Sequence, residues 1–469
     1  MIYNAEHAFS ESMGHDNSDI LSRTKGQDSF VRNALDDKHY VWLEIKQYLE
    51  EIHPDLVGVY TTTVAYPIVL KILSLAKQII PNCVTVLGGP HVTVVPHEVM
   101  EKRDVDFILL GEAEYTLVEL CNGLKEGAVD YKKIAGLGYR EGEKININKS
   151  PDFIQDLKSL PIVDRDLILD IESYPNWAIG GIIMGSRGCT YNCTFCASAA
   201  IWKRRIRYRP VDDIIAEIKY LKNKYRLTEF VFMDDTFTIH RKRVREFCEK
   251  LIIENMDLEW KCSSRADFIN ETILDLLKNA GCSQISVGVE SGSDRVLRQM
   301  KKHVTVKDTR RAAELIKKYG IGFTALFVVG MPYETADDIR QTINIIKDIE
   351  PDSVNVSTFF PYPGTEAYAE VVKHGLLPVD FDWANNLELG HHSLNNCFTP
   401  QIPPEELKNL IIEVNEIARY VNRMKIRHAV KKYWRRRKLY ISHPRETFKK
   451  FISKLHDGLQ NVSGRKLRS

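Results

Sequence analysis

Long hydrophobic runs are missing from this 469-residue chain. A membrane-spanning helix needs about 20 mostly apolar residues in succession, and the sequence offers no such run. The N-terminus also lacks a basic stretch followed by an apolar one, so no secretory signal is visible. With 44% hydrophobic and 27% charged residues, the composition is typical of a globular protein with two or three domains. We therefore expect a cytoplasmic protein.

Clustered cysteines are nearly as scarce. Nine cysteines in a large cytoplasmic chain argue against a disulfide framework. Six of them stand singly among apolar residues, and we interpret them as small buried side chains. These six are Cys83, Cys121, Cys248, Cys262, Cys282 and Cys397. The remaining three lie at short spacing, which suffices for one iron–sulfur cluster and not for two.

Acidic residues are scarce in the C-terminal tail, residues 401–469. Residues 401–469 hold 18 Lys and Arg against 6 Asp and Glu, whereas the rest of the chain is net acidic. Aromatic residues among the cations at 431–438 suit a membrane surface, RNA or an anionic substrate. Charge runs more often face water, so we favour a helical cover packed on the rest of the protein. A peripheral membrane contact is the next hypothesis, and we do not expect nucleic-acid binding.

Three cysteines share one glycine-containing loop. Cys189, Cys193 and Cys196 could hold three irons of a 4Fe–4S cluster, which leaves the fourth iron open to an outside ligand. Gly185 and Gly188 would let the backbone approach the cluster. A zinc site is one alternative, although zinc prefers four protein ligands and no fourth Cys or His lies at the usual spacing. Three unreactive core cysteines are the other alternative.

Strand and helix patterns alternate over residues 40–125. Apolar strands are predicted at 56–60, 84–87 and 107–110 with helices between them, which indicates a parallel, doubly wound sheet. Ligands of such sheets bind beyond the carboxyl ends of the strands, so the loops there would rim one site. The candidate residues in these loops are Thr61, Thr62, Gly88, Gly89, His91, Gly111 and Glu112.

A second alternating region follows a connector. Six strands are predicted at 182–185, 229–234, 258–263, 284–289, 322–329 and 353–359. Six strand–helix units form an incomplete version of the eight-fold barrel, with its chemistry at the carboxyl ends of the strands. We divide the chain into a doubly wound domain (1–125), the connector (126–178), the partial barrel (179–375) and a helical, basic C-terminal region (376–469).

The cysteine spacing, with Phe195 before the last thiol, resembles the signature of the radical S-adenosylmethionine (SAM) superfamily. In that family SAM binds the open iron, and one electron cleaves its C–S bond to give a 5′-deoxyadenosyl radical. The resemblance extends to the ends of the later strands. It implies that Arg265 pairs with the SAM carboxylate, that Glu290 and Ser291 bind methionyl or ribose groups, and that Asp235 lines the same site. A surface Arg–Asp pair or a capped turn is the local alternative.

The front region resembles the cobalamin-binding domain that often precedes such a barrel, at 54–58, 87–91 and 110–114. The resemblance implies cobalamin contacts from the three loops. The family's domain opens with a further strand and helix, which we find no match for, so we expect this domain to lack its first strand. The Asp-x-His-x-x-Gly signature of a histidine ligand to cobalt is also absent. We therefore expect His91 to be a loop or tail contact.

We predict a radical SAM enzyme that uses a 4Fe–4S cluster, SAM and cobalamin. It would abstract hydrogen from an unactivated carbon and then transfer a methyl group. The expected partners are a small-molecule substrate (a lipid, a tetrapyrrole or a secondary metabolite) and an electron donor such as flavodoxin or ferredoxin. A cobalamin-independent oxidoreductase or cyclase is the first alternative. A non-catalytic cobalamin or iron–sulfur sensor with a nucleic-acid-binding tail is the second, although a sensor would not need Arg265 and Glu290.

Overall fold

Two mainly parallel sheets, one in each half of the chain, organise the protein. A computed structural model gives the fold of residues 33–169 and 181–423. In these two stretches, no helix is both long and apolar enough to cross a bilayer.

The front sheet has the strand order β1-β2-β3-β4-β5. Its first three strands are parallel, with Val86 facing Phe107 in the register of β2 and β3. The last two strands are antiparallel. The strands are β1 Leu56–Tyr60, β2 Val84–Gly88, β3 Phe107–Leu109, β4 Leu137–Glu141 and β5 Lys144–Ile147. The helices are α1 Tyr40–Ile52, α2 Tyr66–Ile79, α3 Pro90–Val94, α4 Pro96–Met100 and α5 Glu114–Glu126.

Both faces of the front sheet are buried, as the near-continuous apolar strands require. Leu87 and Ile108 belong to the core that includes Leu73 of α2. Val86 and Leu120 belong to a separate core on the other face. Helices therefore cover both faces, and the predicted doubly wound fold is confirmed. The predicted absence of a first strand concerns residues 1–32, which lie outside the described residues.

The hairpin of β4 and β5 was not predicted. It lies within the predicted connector, yet it extends the front sheet by pairing with β3. Gly142 closes the turn at φ +61°. A Cβ at Gly138 would overlap the side chain of Ile108, so a glycine permits this close pairing. The strands are too short for a periodicity signal, and the predicted domain boundaries stay a prediction.

The second sheet is parallel throughout, with the order β13-β12-β11-β10-β9-β6. Six strands with helices outside them confirm the predicted partial barrel. The strands are β6 Ile182–Ile183, β9 Glu229–Phe232, β10 Glu259–Ser264, β11 Cys282–Glu290, β12 Gly322–Val329 and β13 Ser353–Thr358. The helices are α6 Ala197–Trp202, α7 Val211–Tyr225, α8 Arg241–Ile253, α9 Glu271–Asn279, α10 Asp294–Gln299, α11 Val306–Lys318, α12 Ala336–Ile349 and α13 Glu366–Lys373.

Between β6 and β9 lies a short antiparallel ribbon of β7 Ser186–Arg187 and β8 Arg207–Tyr208. The ribbon closes the ends of the loop that carries the three clustered cysteines. That loop therefore begins and ends at one fixed point beside the first barrel strand.

A helical segment covers the last barrel strand. Helix α14 Pro404–Arg423 packs on β13, and Asn422 hydrogen-bonds both the backbone N–H and the carbonyl of Val354 at 2.9 Å. This agrees with the predicted helical cover as far as residue 423. The basic run at 431–438 lies outside the described residues, so a membrane contact through it stays a prediction.

Candidate functional site

The cysteine loop depends on two glycines. The β7–β8 ribbon brings the two ends of the loop together, and we call this part the neck of the loop. Gly188 has φ +93°, and a Cβ there would overlap the carbonyl oxygen of Arg205 across the neck. Gly185 is also tightly surrounded, since its Cβ would lie 2.9 Å from Arg243 Nη2 and 3.1 Å from Asp234 Oδ2. A side chain at Gly188 would collide with backbone, whereas one at Gly185 would displace neighbouring side chains. The backbone freedom expected from the sequence is therefore needed to fold the loop as well as to approach a cluster.

Asp234 anchors the start of this loop. Its buried carboxylate accepts hydrogen bonds from Gly185 N and Ser186 Oγ, both at 2.6 Å. The neighbouring Asp235, which the sequence singled out, is exposed and accepts a hydrogen bond from Ser198 Oγ at 2.7 Å. Each acid thus holds one side of the loop. The strand alternation buries Asp234, a signal that sequence reasoning missed.

The three cysteines are free, partly exposed thiols on this loop. Burial raises the pKa of Cys196 to about 12 and also raises the pKa of Cys193. Lys302 and Arg265 oppose that rise at Cys193. Such thiols give up their protons when a metal supplies the compensating charge. In the described residues, no three His, Cys, Asp or Glu side chains converge as ligands of a single ion would. A cluster needs no such point, because each thiolate binds a different iron.

A buried charge network lies beside the cysteine loop. Lys302 Nζ lies 2.6 Å from Glu290 Oε1, and both side chains are about nine-tenths buried. Arg265 donates to the carbonyl of Lys302 at 2.6 Å and to Asp267 at 3.0 Å. Its guanidinium also lies 3.6 Å from the ring centre of Tyr191 in the cysteine loop. The structure therefore brings Arg265 and Glu290 together at adjacent strand ends, as predicted for a shared site.

Glu290 has a left-handed backbone conformation, with φ +66°. A non-glycine residue in this region costs about 1–2 kcal/mol and is held there by its surroundings, here the bond to Lys302. Sequence reasoning missed Lys302, because nothing in the run Lys301-Lys302-His303 shows which cation turns inward.

Two other predicted SAM contacts, Ser291 and Phe195, are wholly or partly covered by the protein. Ser291 is fully buried, and its hydroxyl hydrogen-bonds Thr342 at 3.3 Å and the backbone N–H of Ser293 at 3.1 Å. Phe195 is half-buried against the barrel core. Their roles as SAM contacts stay predictions.

The loops of the front domain meet as expected at the carboxyl ends of β1, β2 and β3. Gly89 has φ +111°, and its Cβ would lie 2.5 Å from the carbonyl oxygen of Thr61, so this glycine permits two loops to touch. At Gly88 a Cβ would make an ordinary van der Waals contact with Leu109 at 3.8 Å, so a small side chain could be accommodated at this strand end. Thr62 is exposed beside it. Gly111, at φ +66°, donates to Thr93 Oγ1 at 3.0 Å.

His91 is fully buried beneath these loops. Its Nδ1 lies 3.2 Å from Thr63 Oγ1, whereas Nε2 has no hydrogen-bond partner among the described residues. Burial lowers the pKa of His91 to about 4, so the ring is neutral. A buried, unsatisfied nitrogen beneath these loops fits a domain that a large ligand with polar groups completes.

The front domain and the barrel meet beside the cysteine loop. A Cβ at Gly364, which follows the sixth barrel strand, would touch both Val94 of α3 and Ala200 of α6. Trp383 packs edge-on to His91 with ring centres 6.3 Å apart. Glu112, after β3, lies 2.6 Å from Arg187 of the ribbon. The front domain and the barrel therefore contact each other next to the loops predicted for cobalamin and for the cluster.

Family models match in both halves of the chain. Residues 183–346 match the radical SAM superfamily and residues 32–121 match the B12 binding domain. An uncharacterised methyltransferase of Pyrococcus horikoshii is 33% identical over 336 residues, which cover 71% of this chain and 73% of the relative. The chain belongs to the radical SAM superfamily. Membership confirms the predicted enzyme class and implies a 4Fe–4S cluster and SAM, while the B12 binding domain implies cobalamin.

Other radical SAM proteins are similar over comparable lengths. The anaerobic magnesium-protoporphyrin IX monomethyl ester cyclase of Rubrivivax gelatinosus is 29% identical, and the match covers 70% of this chain and 60% of the cyclase. The methyltransferase TsrM of Kitasatospora setae, solved with cobalamin and a 4Fe–4S cluster, superposes with a TM-score of 0.61 at 19% identity, covering 70% and 69% of the two chains. That likeness shows a shared fold. TsrM has also been solved with tryptophan as substrate.

Proposed function

We propose that this radical SAM protein is a cobalamin-dependent methyltransferase that acts on an unactivated carbon of a small organic molecule. The observation that carries the proposal is the contact between the two domains at Gly364, beside which we place one cleft shared by the two cofactors. The cysteine loop, through α6, and the front-domain loops, through α3, lie against the same turn at Gly364. A methyl group could pass between two cofactors only if both border one cavity.

The chain's own residues have distinct tasks in this proposal. Cys189, Cys193 and Cys196 hold the iron, and Arg265 with Glu290 orients the polar groups of SAM. When bound, the cluster and SAM supply the radical, and cobalamin supplies the methyl group. The loops at Gly88 and Gly111 bind and orient cobalamin, while the buried aromatic side chains around Trp383 exclude water from the cleft.

The substrate class belongs to the proposal as well. We infer a lipid, a tetrapyrrole or a secondary metabolite, because the similar proteins include a tetrapyrrole cyclase and a methyltransferase solved with tryptophan. We further infer a one-electron donor such as flavodoxin or ferredoxin. The similarity to the cyclase favours ring formation without methyl transfer as the second candidate function.

The deciding experiment is anaerobic reconstitution with iron, sulfide and hydroxocobalamin, followed by SAM and dithionite. We expect about four irons per chain, bound cobalamin and release of 5′-deoxyadenosine. S-adenosylhomocysteine should appear as well, because it remains when SAM donates a methyl group. Deoxyadenosine without bound cobalamin or S-adenosylhomocysteine would favour the cyclase-type reaction. Bound zinc without SAM cleavage would exclude both.

A pair of glycine substitutions tests the cobalamin loops. Gly88→Val should place two methyl groups at the end of β2, where we propose that cobalamin binds, and weaken hydroxocobalamin binding by more than about tenfold, which corresponds to about 1.4 kcal/mol. Gly58→Val in β1 is the matched control, since its Cβ has similar room, with Leu56 Cδ2 at 3.6 Å. Equal affinities for both variants, measured by the absorption of bound cobalamin, would argue against a site at Gly88.

A further inference from the structure

One carboxylate joins the front domain to the cysteine loop. Glu112 follows β3, and its side chain is 2% exposed. One carboxylate oxygen accepts from Arg187 Nη1 at 2.6 Å. The other accepts from Arg207 and from the backbone N–H of Ile154, the latter at 2.8 Å. Both oxygens are therefore committed to partners from other parts of the chain.

The two arginines occupy the neck of the cysteine loop. Arg187 and Arg207 face each other in the register of the β7–β8 ribbon, and Arg187 lies two residues before Cys189. Arg187 also donates to Glu114 at 2.7 Å, so its guanidinium holds two acids of the same front-domain loop. Any movement of the neck must therefore move this loop or break charge-assisted hydrogen bonds.

The surroundings make these ion pairs costly to break. Arg207 is 7% exposed and lies 4.7 Å from the ring centre of Phe153. Separating a buried pair leaves an uncompensated charge, which is strongly destabilising, whereas an exposed pair contributes little. One buried pair with Arg207 and one partly buried pair with Arg187 therefore link this carboxylate firmly to the ribbon.

We propose that Glu112 is a positioning residue that couples the cluster loop to the cobalamin loop, so that filling one site orders the other. The proposal rests on the proposed function, since it assumes that both sites are filled. Arg187 lies two residues before Cys189, so ligation of a cluster by that cysteine would restrain Arg187 and Arg207 further than the ribbon alone does. These arginines then fix the loop after β3 at the edge of the cobalamin site. Coupling between two sites is reciprocal, so cobalamin should favour cluster retention to the same degree.

The first test follows hydrogen exchange of residues 109–114 in the full chain, with and without a reconstituted cluster and without cobalamin. In the wild type we expect iron to slow this exchange by about tenfold, within the usual range of coupling between sites. Glu112→Gln keeps the shape and removes the charge, and should reduce the effect below about twofold. Asp106→Asn is the matched control. It breaks the 2.5 Å ion pair with Lys77 inside the front domain and should leave the coupling intact.

The second test measures the hydroxocobalamin dissociation constant of cluster-loaded and cluster-free protein. The ratio should be about ten in the wild type and near one in Glu112→Gln. Arg187→Gln should also give a ratio near one. The double variant, Glu112→Gln with Arg187→Gln, should lose no more of the coupling than either single variant. Arg187→Lys keeps the charge but not the contact with two carboxylates, so its ratio should lie between those of the wild type and Glu112→Gln. This variant replaces the neutral ones if they do not fold.

Two results overturn the coupling while leaving the proposed function standing. One is a wild type that binds iron yet shows unchanged exchange, and the other is a Glu112→Gln protein with the wild-type ratio. A wild type that takes up no iron overturns the proposed function and the coupling with it.

Discussion

The carboxyl ends of the strands, which form the binding edge of each domain, are built differently in the barrel and in the front domain. At the barrel edge, charged side chains already have partners, as in the buried Lys302–Glu290 pair and the contacts of Arg265. In the front domain Glu112 is paired after β3, but at the ends of β1 and β2 backbone shape dominates, and buried His91 Nε2 has no partner among the described residues. The barrel edge is thus ordered before its ligands arrive, whereas the front edge is completed by its ligand.

The most severe change removes a cluster thiol. Cys193→Ala should lower the iron content after anaerobic reconstitution from about four per chain to nearly none, because two thiolates cannot hold the cluster. Iron and sulfide analysis measures the effect. Cys121→Ala is the control, since this exposed cysteine lies far from the loop in sequence. Equal iron in both variants would mean that the loop is not the cluster site.

Gly188→Ala should destabilise the barrel by about 4 kcal/mol or more, because a Cβ overlaps backbone that cannot yield. Gly127→Ala provides the comparison. That glycine also has positive φ, at +66°, but nothing lies within 4 Å of its Cβ. Conformational strain alone should cost about 1–2 kcal/mol there. Urea unfolding gives both values, and similar losses would show that the neck is not closely packed.

Lys302→Met should cost about 3–5 kcal/mol, because Glu290 would stay buried without a partner. The neighbouring Lys301 forms a surface pair with Glu366 at 2.7 Å, so Lys301→Met should cost less than about 1 kcal/mol. The two urea midpoints compare buried and exposed pairs on consecutive residues. A small loss for Lys302→Met would indicate that the barrel edge is less rigid than its contacts suggest.

The front edge should respond to pH. The pKa of His91 is about 4 in the folded protein and about 6.5 when unfolded. As pH falls through this window, the unfolded chain binds a proton that the folded chain does not, so stability falls. His91→Gln should remove up to about 1.4 kcal/mol per pH unit of that slope.

Exposed His97 supplies the control for the pH slope, through His97→Gln. Comparing slopes of the free energy of unfolding cancels the other groups, including Glu98, whose pKa burial raises to about 7. A His91→Gln protein with the wild-type slope would show that the front edge is already satisfied.

Patterns of regular elements could be predicted well from the sequence. The strand predicted at 322–329 matches β12 residue for residue. The β4–β5 hairpin was missed, because strands of five and four residues show too little alternation to recognise. Long periodic elements carry their own signal, and short ones depend on the strand they pair with.

By itself the sequence determined the two-part α/β organisation, the three-cysteine loop and the loops at the strand ends, since spacing and periodicity are properties of the chain alone. Only the tertiary structure decided which charges face inward. It paired Lys302 with Glu290 and joined Glu112 to Arg187 and Arg207, which are 75 and 95 residues away. The physical reason is that burial and ion pairing depend on neighbours in space, and those neighbours exist only after the two sheets have packed together.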